Sequence, residues 1–309
     1  MKKLISIVTP CYNEEENIKI LCEKIKEIFL NLNYDYEHIV IDNKSIDNTI
    51  QILRSLAKKD KNLKIILNNK NYGHIRSPYH AIMQSKGEAT ILISSDFQDP
   101  LELIPELISK WKNGSDIVML KRKSSSEKFA MRILRNFFYK FISGISETKL
   151  TQNTTGSGIY DKKIIENLKK INDPYPYFRG LVTEFTDKIE IIEFHQPLRK
   201  FGKTKNNFYS LYDIAILGII KHSKFPIRAM IMLGFFFSII CLLIAFIYLI
   251  LKILFWSQFS LGLAPLIIGI FGIASFQILL LGILGEYVIL ILTHARKLPL
   301  VVEEERINF

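Results

Sequence analysis

Residues 91–100, Ile-Leu-Ile-Ser-Ser-Asp-Phe-Gln-Asp-Pro, join a short apolar run to a dense group of oxygen-bearing side chains. The apolar run predicts a buried strand, and the polar group predicts a loop where that strand ends. In an α/β domain, ligands bind in loops at the carboxyl edge of a parallel sheet. We therefore expect the chemistry of this protein to lie in this loop.

Three side chains of the loop, Asp96, Gln98 and Asp99, carry hard oxygen ligands of the kind that Mg²⁺ or Mn²⁺ prefers. Such cations are often held partly by the protein and partly by substrate phosphates, so a nucleotide diphosphate is the natural partner. In the alternative interpretation, Asp96 and Asp99 only cap a helix that begins near Pro100.

Apolar segments alternate with amphipathic segments along the first 120 residues. The predicted strands are 4–8, 38–41, 63–67, 89–94 and 116–120, and the predicted helices are 15–31, 47–59 and 76–85. Strands that alternate with helices and end in polar loops predict a doubly wound α/β sheet that binds a nucleotide across its carboxyl edge. The small residues of 153–160 predict a turn that lets the backbone approach a ligand closely.

The chain is too apolar for a purely soluble protein, since 49% of its 309 residues are hydrophobic and its mean hydropathy is +0.17. The excess lies in two uncharged runs, 229–251 and 253–285, each longer than the roughly 20 residues that a helix needs to cross a bilayer. We predict an α/β domain at 1–208, a juxtamembrane amphipathic helix at 209–226, a two-helix transmembrane hairpin at 227–293 and a tail at 294–309.

Basic residues flank both ends of this predicted hairpin. They are Lys221, Lys224, Arg228, His294, Arg296 and Lys297, while the connection between the two runs carries Lys252. By the positive-inside rule, both ends of the hairpin are cytoplasmic. We therefore predict an integral protein of the cytoplasmic (inner) membrane, with both termini and the α/β domain in the cytosol.

The net charge of +11 is spread along the chain, and no long basic block is interleaved with aromatic residues. This distribution disfavours a nucleic-acid partner and favours an anionic membrane surface and anionic substrates.

Cys11, Cys22 and Cys241 lie far apart, which supports neither a disulfide framework nor a zinc site. A basic aromatic helix predicted at 127–143 lies either over a soluble core or on the bilayer surface.

Three short segments resemble the motifs of a known family. They are Thr-Pro-Cys-Tyr-Asn-Glu at 9–14, Asp-Asn-Lys-Ser-Ile-Asp-Asn-Thr at 42–49 and Ser-Asp-Phe-Gln-Asp-Pro at 95–100. Together they resemble family 2 glycosyltransferases of the GT-A fold. The two C-terminal apolar runs extend the resemblance, over nearly the whole chain, to the polyprenyl-phosphate glycosyltransferases. That group includes dolichyl-phosphate mannose synthases and bacterial undecaprenyl-phosphate glucosyltransferases.

The resemblance implies an enzyme that moves a sugar from a UDP or GDP sugar to a membrane polyprenyl phosphate, with Mg²⁺ or Mn²⁺ as cofactor. A lipid phosphate is already anionic near neutral pH, so no strong general base is needed. A single displacement with inversion is expected, in which the leaving diphosphate is neutralised and the nucleophile is held in line. The product would serve cell-surface glycan assembly or modification.

The resemblance also implies roles for individual residues. Asp96, Arg122, Arg132 and Arg135 resemble the catalytic residues, with the arginines placed to meet the acceptor phosphate, and Asp96 with Gln98 resembles the metal site. The residues implied in binding the donor, the sugar and the acceptor-side loop are Pro10, Tyr12, Asn13, Glu14, Asp42, Asn43, Ser45, Arg76, Ser95, Gly156, Ser157, Arg199 and Lys203.

Two positions depart from the family pattern. Asn43 stands where relatives usually have a carboxylate, and Ser94 stands where the metal motif usually begins with an aspartate. The serine implies a weaker cation site, and the two changes together leave open a non-catalytic membrane scaffold or pseudoenzyme. A processive polysaccharide synthase is the other alternative, but neither Trp111 nor Trp256 lies in the Gln-x-x-Arg-Trp motif of that group. Association into a homo-oligomer is also left open.

Overall fold

A computed structural model describes residues 2–124, 154–171, 173–197, 216–217, 220, 223, 225–255 and 263–309. Four predicted site residues lie outside these ranges, namely Arg132, Arg135, Arg199 and Lys203. The predicted helix at 127–143 and most of the predicted juxtamembrane helix also lie outside the described residues.

Within the described ranges, eight strands form one mixed sheet with the order β7-β5-β6-β4-β1-β2-β3-β8. The strands are β1 (Leu4–Cys11), β2 (Asp35–Asp42), β3 (Leu63–Asn68), β4 (Ala89–Leu92), β5 (Ile117–Ser124), β6 (Thr154–Asp161), β7 (Ile189–His195) and β8 (Glu303–Ile307). The helices are α1 (Ile18–Leu30), α2 (Thr49–Lys59), α3 (Gly73–Met83), α4 (Ile104–Lys112), α5 (Lys162–Lys169), α6 (Phe178–Thr183), α7 (Phe225–Leu254) and α8 (Leu263–Ala295). A short 3₁₀ helix, Leu101–Leu103, precedes α4.

Strands β1 to β4 form the parallel centre of the sheet. They are largely buried because helices pack on both faces, and such strands read as near-continuous apolar runs. In α1, the buried residues Ile18, Leu21, Ile25 and Phe29 recur at helical spacing and form one apolar face. The α/β class and the five predicted strands are confirmed, and the architecture is the GT-A-like one that the resemblance implies.

The segment predicted as a small-residue turn is in fact a strand. β6 lies antiparallel between β4 and β5, so the sheet is mixed and not wholly parallel. A side chain at Gly158 would place its Cβ 2.1 Å from the Val118 carbonyl oxygen, and Gly156 has a φ of 82°. Hydrophobic periodicity does not reveal this strand because small residues contribute little to it.

The predicted C-terminal tail, 294–309, contains the strand β8, which pairs antiparallel with β3 at the edge of the sheet. Next to this pairing, the Asn69 N–H donates to the Val302 carbonyl oxygen at 3.0 Å. Arg54 on α2 forms an ion pair with Glu305 at 2.5 Å. The chain therefore leaves the sheet after β7 and returns to the same sheet at β8.

The apolar helices α7 and α8 occupy the chain between β7 and β8. One segment, Gly272–Ala295 of α8, is long and apolar enough to cross a membrane, whereas the apolar segment Phe225–Ile240 of α7 is shorter. The rings of Phe237 and Phe276 lie 4.5 Å apart, centroid to centroid, where the two helices meet. A helix covers most of each predicted apolar run, and length and apolarity identify one candidate span in the part of the chain that the structure describes. The two-helix transmembrane hairpin stays a prediction.

Candidate functional site

Loops that follow the parallel strands meet the start of β6 at the carboxyl edge of the sheet. β1 and β2 pair in register up to Cys11 and Asp42. β6 pairs Gly158 with Leu92, at the end of β4. The predicted donor loops after β1, β2 and β4 therefore share one edge with the predicted sugar-side residues of β6.

Asp42 fastens the loops after β1 and β2 to each other. Its buried carboxylate accepts hydrogen bonds from the Ser45 N–H at 2.9 Å, from the Ser45 hydroxyl, and from the Cys11 thiol at 3.6 Å. Burial raises the pKa of Asp42, and the bonds from Ser45 offset part of that effect. The Asn13 N–H donates to Ser45 Oγ at 2.8 Å. Three predicted donor residues thus bind one another and shape the loop.

Asn43 organises the neighbouring loop after β3. Its Oδ1 accepts from the Asn68 side chain at 3.1 Å and from the Tyr72 N–H at 2.8 Å. Its Nδ2 donates to Asn71 Oδ1 at 2.8 Å and to the Gly73 carbonyl oxygen at 3.1 Å. An ionised aspartate could not make the last two bonds because it has no hydrogen to donate. Asparagine at position 43, where relatives usually have a carboxylate, therefore makes hydrogen bonds here that a carboxylate could not make.

Asp99 braces the loop after β4. One oxygen of its buried carboxylate accepts from the Ser94 N–H at 3.0 Å, from the Ser94 hydroxyl at 2.6 Å and from the Ser157 hydroxyl at 2.6 Å. These bonds join the end of β4 to β6. The following 3₁₀ helix begins at Leu101, with Pro100 as its N-cap and no side-chain cap, so the interpretation of Asp96 and Asp99 as helix caps is wrong.

Asp96 and Gln98 flank Phe97, whose φ of 59° marks a tight turn. Asp96 is buried, and its Oδ1 accepts from the Gln98 backbone N–H at 3.1 Å. No group of three or more His, Cys, Asp or Glu side chains that could hold a metal occurs among the described residues. One carboxylate and one amide nevertheless fit a Mg²⁺ or Mn²⁺ that takes its other oxygen ligands from a diphosphate and water.

Arg76 contacts the C-terminal segment that leads into β8. Its Nε donates to the Leu300 carbonyl oxygen at 2.8 Å, and its Nη2 donates to the Pro299 carbonyl oxygen at 2.7 Å. The guanidinium also lies over the Tyr72 ring, 5.0 Å from the centroid. The structure thus gives Arg76 an anchoring contact, while its role in donor binding stays a prediction.

The remaining predicted residues within the described ranges lie at the same edge. Pro10 is near the end of β1, and Tyr12 and Glu14 follow in the loop. Ser95 is buried in the loop after β4, and Arg122 is half-buried near the end of β5. Their assignment to the donor and to the acceptor phosphate stays a prediction.

Two side chains at this edge, His74 and Arg179, were missed by the sequence analysis. They line a cavity of about 210 Å³ that also contacts Pro10 and Ser94. His74 lies in the first turn of α3 and Arg179 lies in α6, so their approach depends on how the two helices pack. The one signal in the sequence was the cluster of aromatic and basic residues at 175–180.

Comparison with known proteins adds independent information. The model of the family described as Glycosyl transferase family 2 matches residues 6–169, from within β1 to the end of α5. An uncharacterized glycosyltransferase of Synechocystis sp. is 31% identical over 297 residues, which cover 96% of this chain and 93% of that protein.

Two further relatives carry more specific names. A prophage bactoprenol glucosyl transferase homolog of Escherichia coli K12 is 31% identical, over 92% of this chain and 93% of that protein. The bactoprenol glucosyl transferase of Shigella phage SfV is 29% identical, over 92% of each chain. Alignments of this extent include the apolar helices as well as the α/β domain.

Proposed function

This chain belongs to glycosyl transferase family 2, and we propose that it transfers a hexosyl group, glucose in the first instance, from a nucleoside diphosphate sugar to a polyprenyl phosphate at a membrane. One observation carries the proposal. Relatives named bactoprenol glucosyl transferase align with 92% of the chain, including its apolar helices. A lipid acceptor accounts for the helices, which transfer to a soluble acceptor would not require.

The donor would bind in the loops at the carboxyl edge. Asp96 and Gln98 would hold Mg²⁺ or Mn²⁺ together with the diphosphate, and the bound cation would neutralise charge on the leaving nucleoside diphosphate. Asp99 keeps this loop in place through its bonds to Ser94 and Ser157. Because these contacts form within the protein, the loop is preorganised before the donor binds.

The acceptor brings its own nucleophile. An anionic phosphate oxygen forms the new bond to the anomeric carbon while the bond from that carbon to the diphosphate breaks, so the configuration inverts and no proton has to be removed. Arg122 on β5, with Arg132 and Arg135 further along the chain, would hold the acceptor phosphate. The planar guanidinium suits this task because it binds two phosphate oxygens at once and fixes the direction of attack.

The path of the chain supports a membrane hairpin. The chain passes through α7 and α8 between β7 and β8, and both of these strands belong to one sheet. The two ends of the helical pair then lie on the same side of a membrane, which calls for an even number of crossings. If Gly272–Ala295 crosses the bilayer, α7 crosses back. The basic flanks of the pair favour a cytosolic α/β domain.

Cysteine labelling tests this topology. In a variant without the native cysteines, Ser257→Cys should react with an impermeant maleimide applied to intact cells, because residue 257 lies between the two spans. Ser223→Cys should react only after the membrane is permeabilised. The opposite pattern would contradict both the orientation and a cytosolic donor.

Transfer is tested with the purified full-length chain, undecaprenyl phosphate and labelled UDP-glucose or GDP-mannose in Mg²⁺. We expect lipid-linked hexose with the lipid phosphate and none with the matching polyprenol, which lacks the anionic nucleophile. Equal transfer to the alcohol would contradict the acceptor assignment. Absence of transfer from every nucleotide sugar would favour the non-catalytic scaffold.

A further inference from the structure

A cavity of about 210 Å³ opens at the carboxyl edge, between α3 and α6. It adjoins four residues with predicted roles or motif positions in the donor site, Pro10, Ser94, Gly156 and Ser157. Pockets for drug-sized ligands have volumes of roughly 300–1,000 Å³, so this cavity suits one sugar ring better than a whole nucleotide.

The lining of the cavity combines apolar and hydrogen-bonding groups. Tyr79, Ile82 and Phe178 supply apolar surface, while His74 and Arg179 supply polar atoms. Tyr79 is buried, and the Phe178 ring lies edge-on to it with centroids 6.3 Å apart, so the apolar part is firmly packed. A pyranose has the matching pattern of C–H groups on its ring faces and hydroxyls around its rim.

Arg179 is held in position by the start of β6. Its Nη1 donates to the Thr154 carbonyl oxygen at 3.0 Å, which takes one of the five guanidinium N–H donors. Its Cγ would lie 3.3 Å from a Cβ at Gly156, whose φ of 82° already favours glycine. The close packing of Arg179 on this glycine keeps the guanidinium at the cavity.

His74 lies at the exposed mouth of the cavity, in the first turn of α3. Partial burial of the imidazole lowers its pKa, and the charge of Arg179 lowers it further. A neutral imidazole offers one nitrogen as a donor and the other as an acceptor. Hydroxyl groups both donate and accept, so they suit both nitrogens.

We propose that this cavity holds the hexosyl group of the donor, and that Arg179 and His74 select the hexose by hydrogen bonding to its hydroxyls. This assignment rests on the proposed glycosyl transfer and adds the residues that determine its sugar specificity. A site built to hydrogen-bond a hydroxyl rejects an analogue that lacks it, because the polar groups of the site are then left unpaired. Arg179 and His74 should therefore make the protein bind one donor sugar more tightly than its epimer at a single hydroxyl.

Donor binding in the absence of any acceptor tests the assignment. Dissociation constants for UDP, UDP-glucose and UDP-galactose are measured for the full-length wild type, Arg179→Met and Arg179→Lys; if the wild type binds GDP instead, GDP-glucose and GDP-mannose are used. We expect both variants to bind the bare nucleotide within twofold of wild type. Arg179→Met should bind the preferred sugar nucleotide at least tenfold more weakly and lose most of the preference between epimers.

Conservative and matched variants make the result specific. His74→Gln keeps one donor and one acceptor and should retain most of the epimer preference, whereas His74→Phe should lose it. Arg54→Met removes a cation from the exposed side of α2, where Arg54 pairs with Glu305, and should leave all three dissociation constants unchanged. Melting temperatures report folding, and Arg179→Lys, which keeps the charge, provides the comparison if Arg179→Met does not fold.

Three outcomes overturn the assignment. Equal weakening of bare and sugar-bearing nucleotides in Arg179→Met would mean that the cavity holds the nucleotide. If Arg179→Met binds bare and sugar-bearing nucleotides as tightly as wild type does, Arg179 does not contact the donor. If the wild type binds the sugar nucleotides no more tightly than the bare nucleotide, the sugar does not bind in the cavity. If the protein selects among sugar nucleotides as expected but does not transfer sugar to polyprenyl phosphate, the proposed function is wrong and the assignment of the cavity stands.

Discussion

The Ser94 hydroxyl donates a 2.6 Å hydrogen bond to the buried carboxylate of Asp99. The same carboxylate oxygen accepts from Ser157, so the serine that replaces the usual aspartate of the metal motif helps to join β4 to β6. An aspartate at position 94 would place a second carboxylate against Asp99. Serine therefore suits this position, and a cation would depend on Asp96 and Gln98.

Ser94→Asp should destabilise the protein more than Ser94→Ala does. Loss of the hydroxyl removes one partner of the buried Asp99 and costs roughly 1–3 kcal/mol. The added carboxylate contributes like-charge repulsion as well. Urea unfolding of the solubilised full-length protein at pH 7 measures both differences. A Ser94→Asp variant as stable as wild type, with higher Mg²⁺ affinity, would show that the bond to Asp99 is dispensable.

Asn43→Asp should lower stability and weaken nucleotide binding. The substitution removes the two bonds that Nδ2 donates and sets a carboxylate against the oxygens of Asn71 and Gly73, at a cost of roughly 1–3 kcal/mol. Asn33→Asp adds the same charge at an exposed position and serves as the matched control. Equal unfolding midpoints for the two variants would argue against the network around Asn43.

Asp96→Asn should reduce transfer at least a hundredfold while the melting temperature changes little, because the two side chains have nearly the same shape. The buried carboxylate is the charged member of the proposed metal site, and its loss leaves the diphosphate without a shared cation. Wild-type activity in excess chelator should fall in the same way and return with Mg²⁺ or Mn²⁺. Full activity of the variant, or of the chelated wild type, would contradict the metal assignment.

Arg76→Met should loosen the C-terminal segment, because the carbonyl groups of Pro299 and Leu300 lose their donors. We expect faster limited proteolysis before β8 and a loss of roughly 1–3 kcal/mol in stability. His80→Gln is the comparison, since His80 contacts the same segment through Glu303. A tenfold loss of nucleotide affinity in Arg76→Met but not in His80→Gln would support a direct role in donor binding. Equal effects would support anchoring alone.

Glu37 should make stability depend on pH in the acid range. Its buried carboxylate accepts from Ser6 Oγ at 2.5 Å, Lys64 Nζ at 2.5 Å and the Lys86 N–H at 2.7 Å. Burial raises the pKa of Glu37, but these bonds outweigh burial and hold the pKa below its ordinary value of 4.5. The stabilisation is therefore complete above pH 4.5 and is lost as the pH falls through the lower pKa of the folded state.

The Glu37→Gln variant measures this contribution. It should be less stable than wild type by roughly 1–3 kcal/mol at pH 7, and the difference should shrink as the pH falls below 4.5, the ordinary pKa of the carboxyl group. Urea unfolding at pH 7 and pH 3.5 gives both values. A difference that stays constant with pH would mean that ionisation of Glu37 contributes nothing.

The sequence by itself determined the five strands and the first three helices of the first 120 residues, and the edge at which the site forms. Buried strands are continuous apolar runs, and helices such as α1 show one apolar face at helical spacing, so both follow from local pattern. The family motifs at 9–14, 42–49 and 95–100 fall where β1, β2 and β4 end, as expected for a carboxyl-edge site.

Tertiary structure alone decided β6, β8 and the partners of the polar side chains. β6 is rich in small residues and β8 begins with four consecutive charged residues, so neither has the apolar signal of a buried strand. The bonds from Arg76 to Pro299 and Leu300, and the approach of Arg179 to His74 at one cavity, join residues that are far apart in the chain. Such contacts depend on how the elements pack, and no local pattern encodes them.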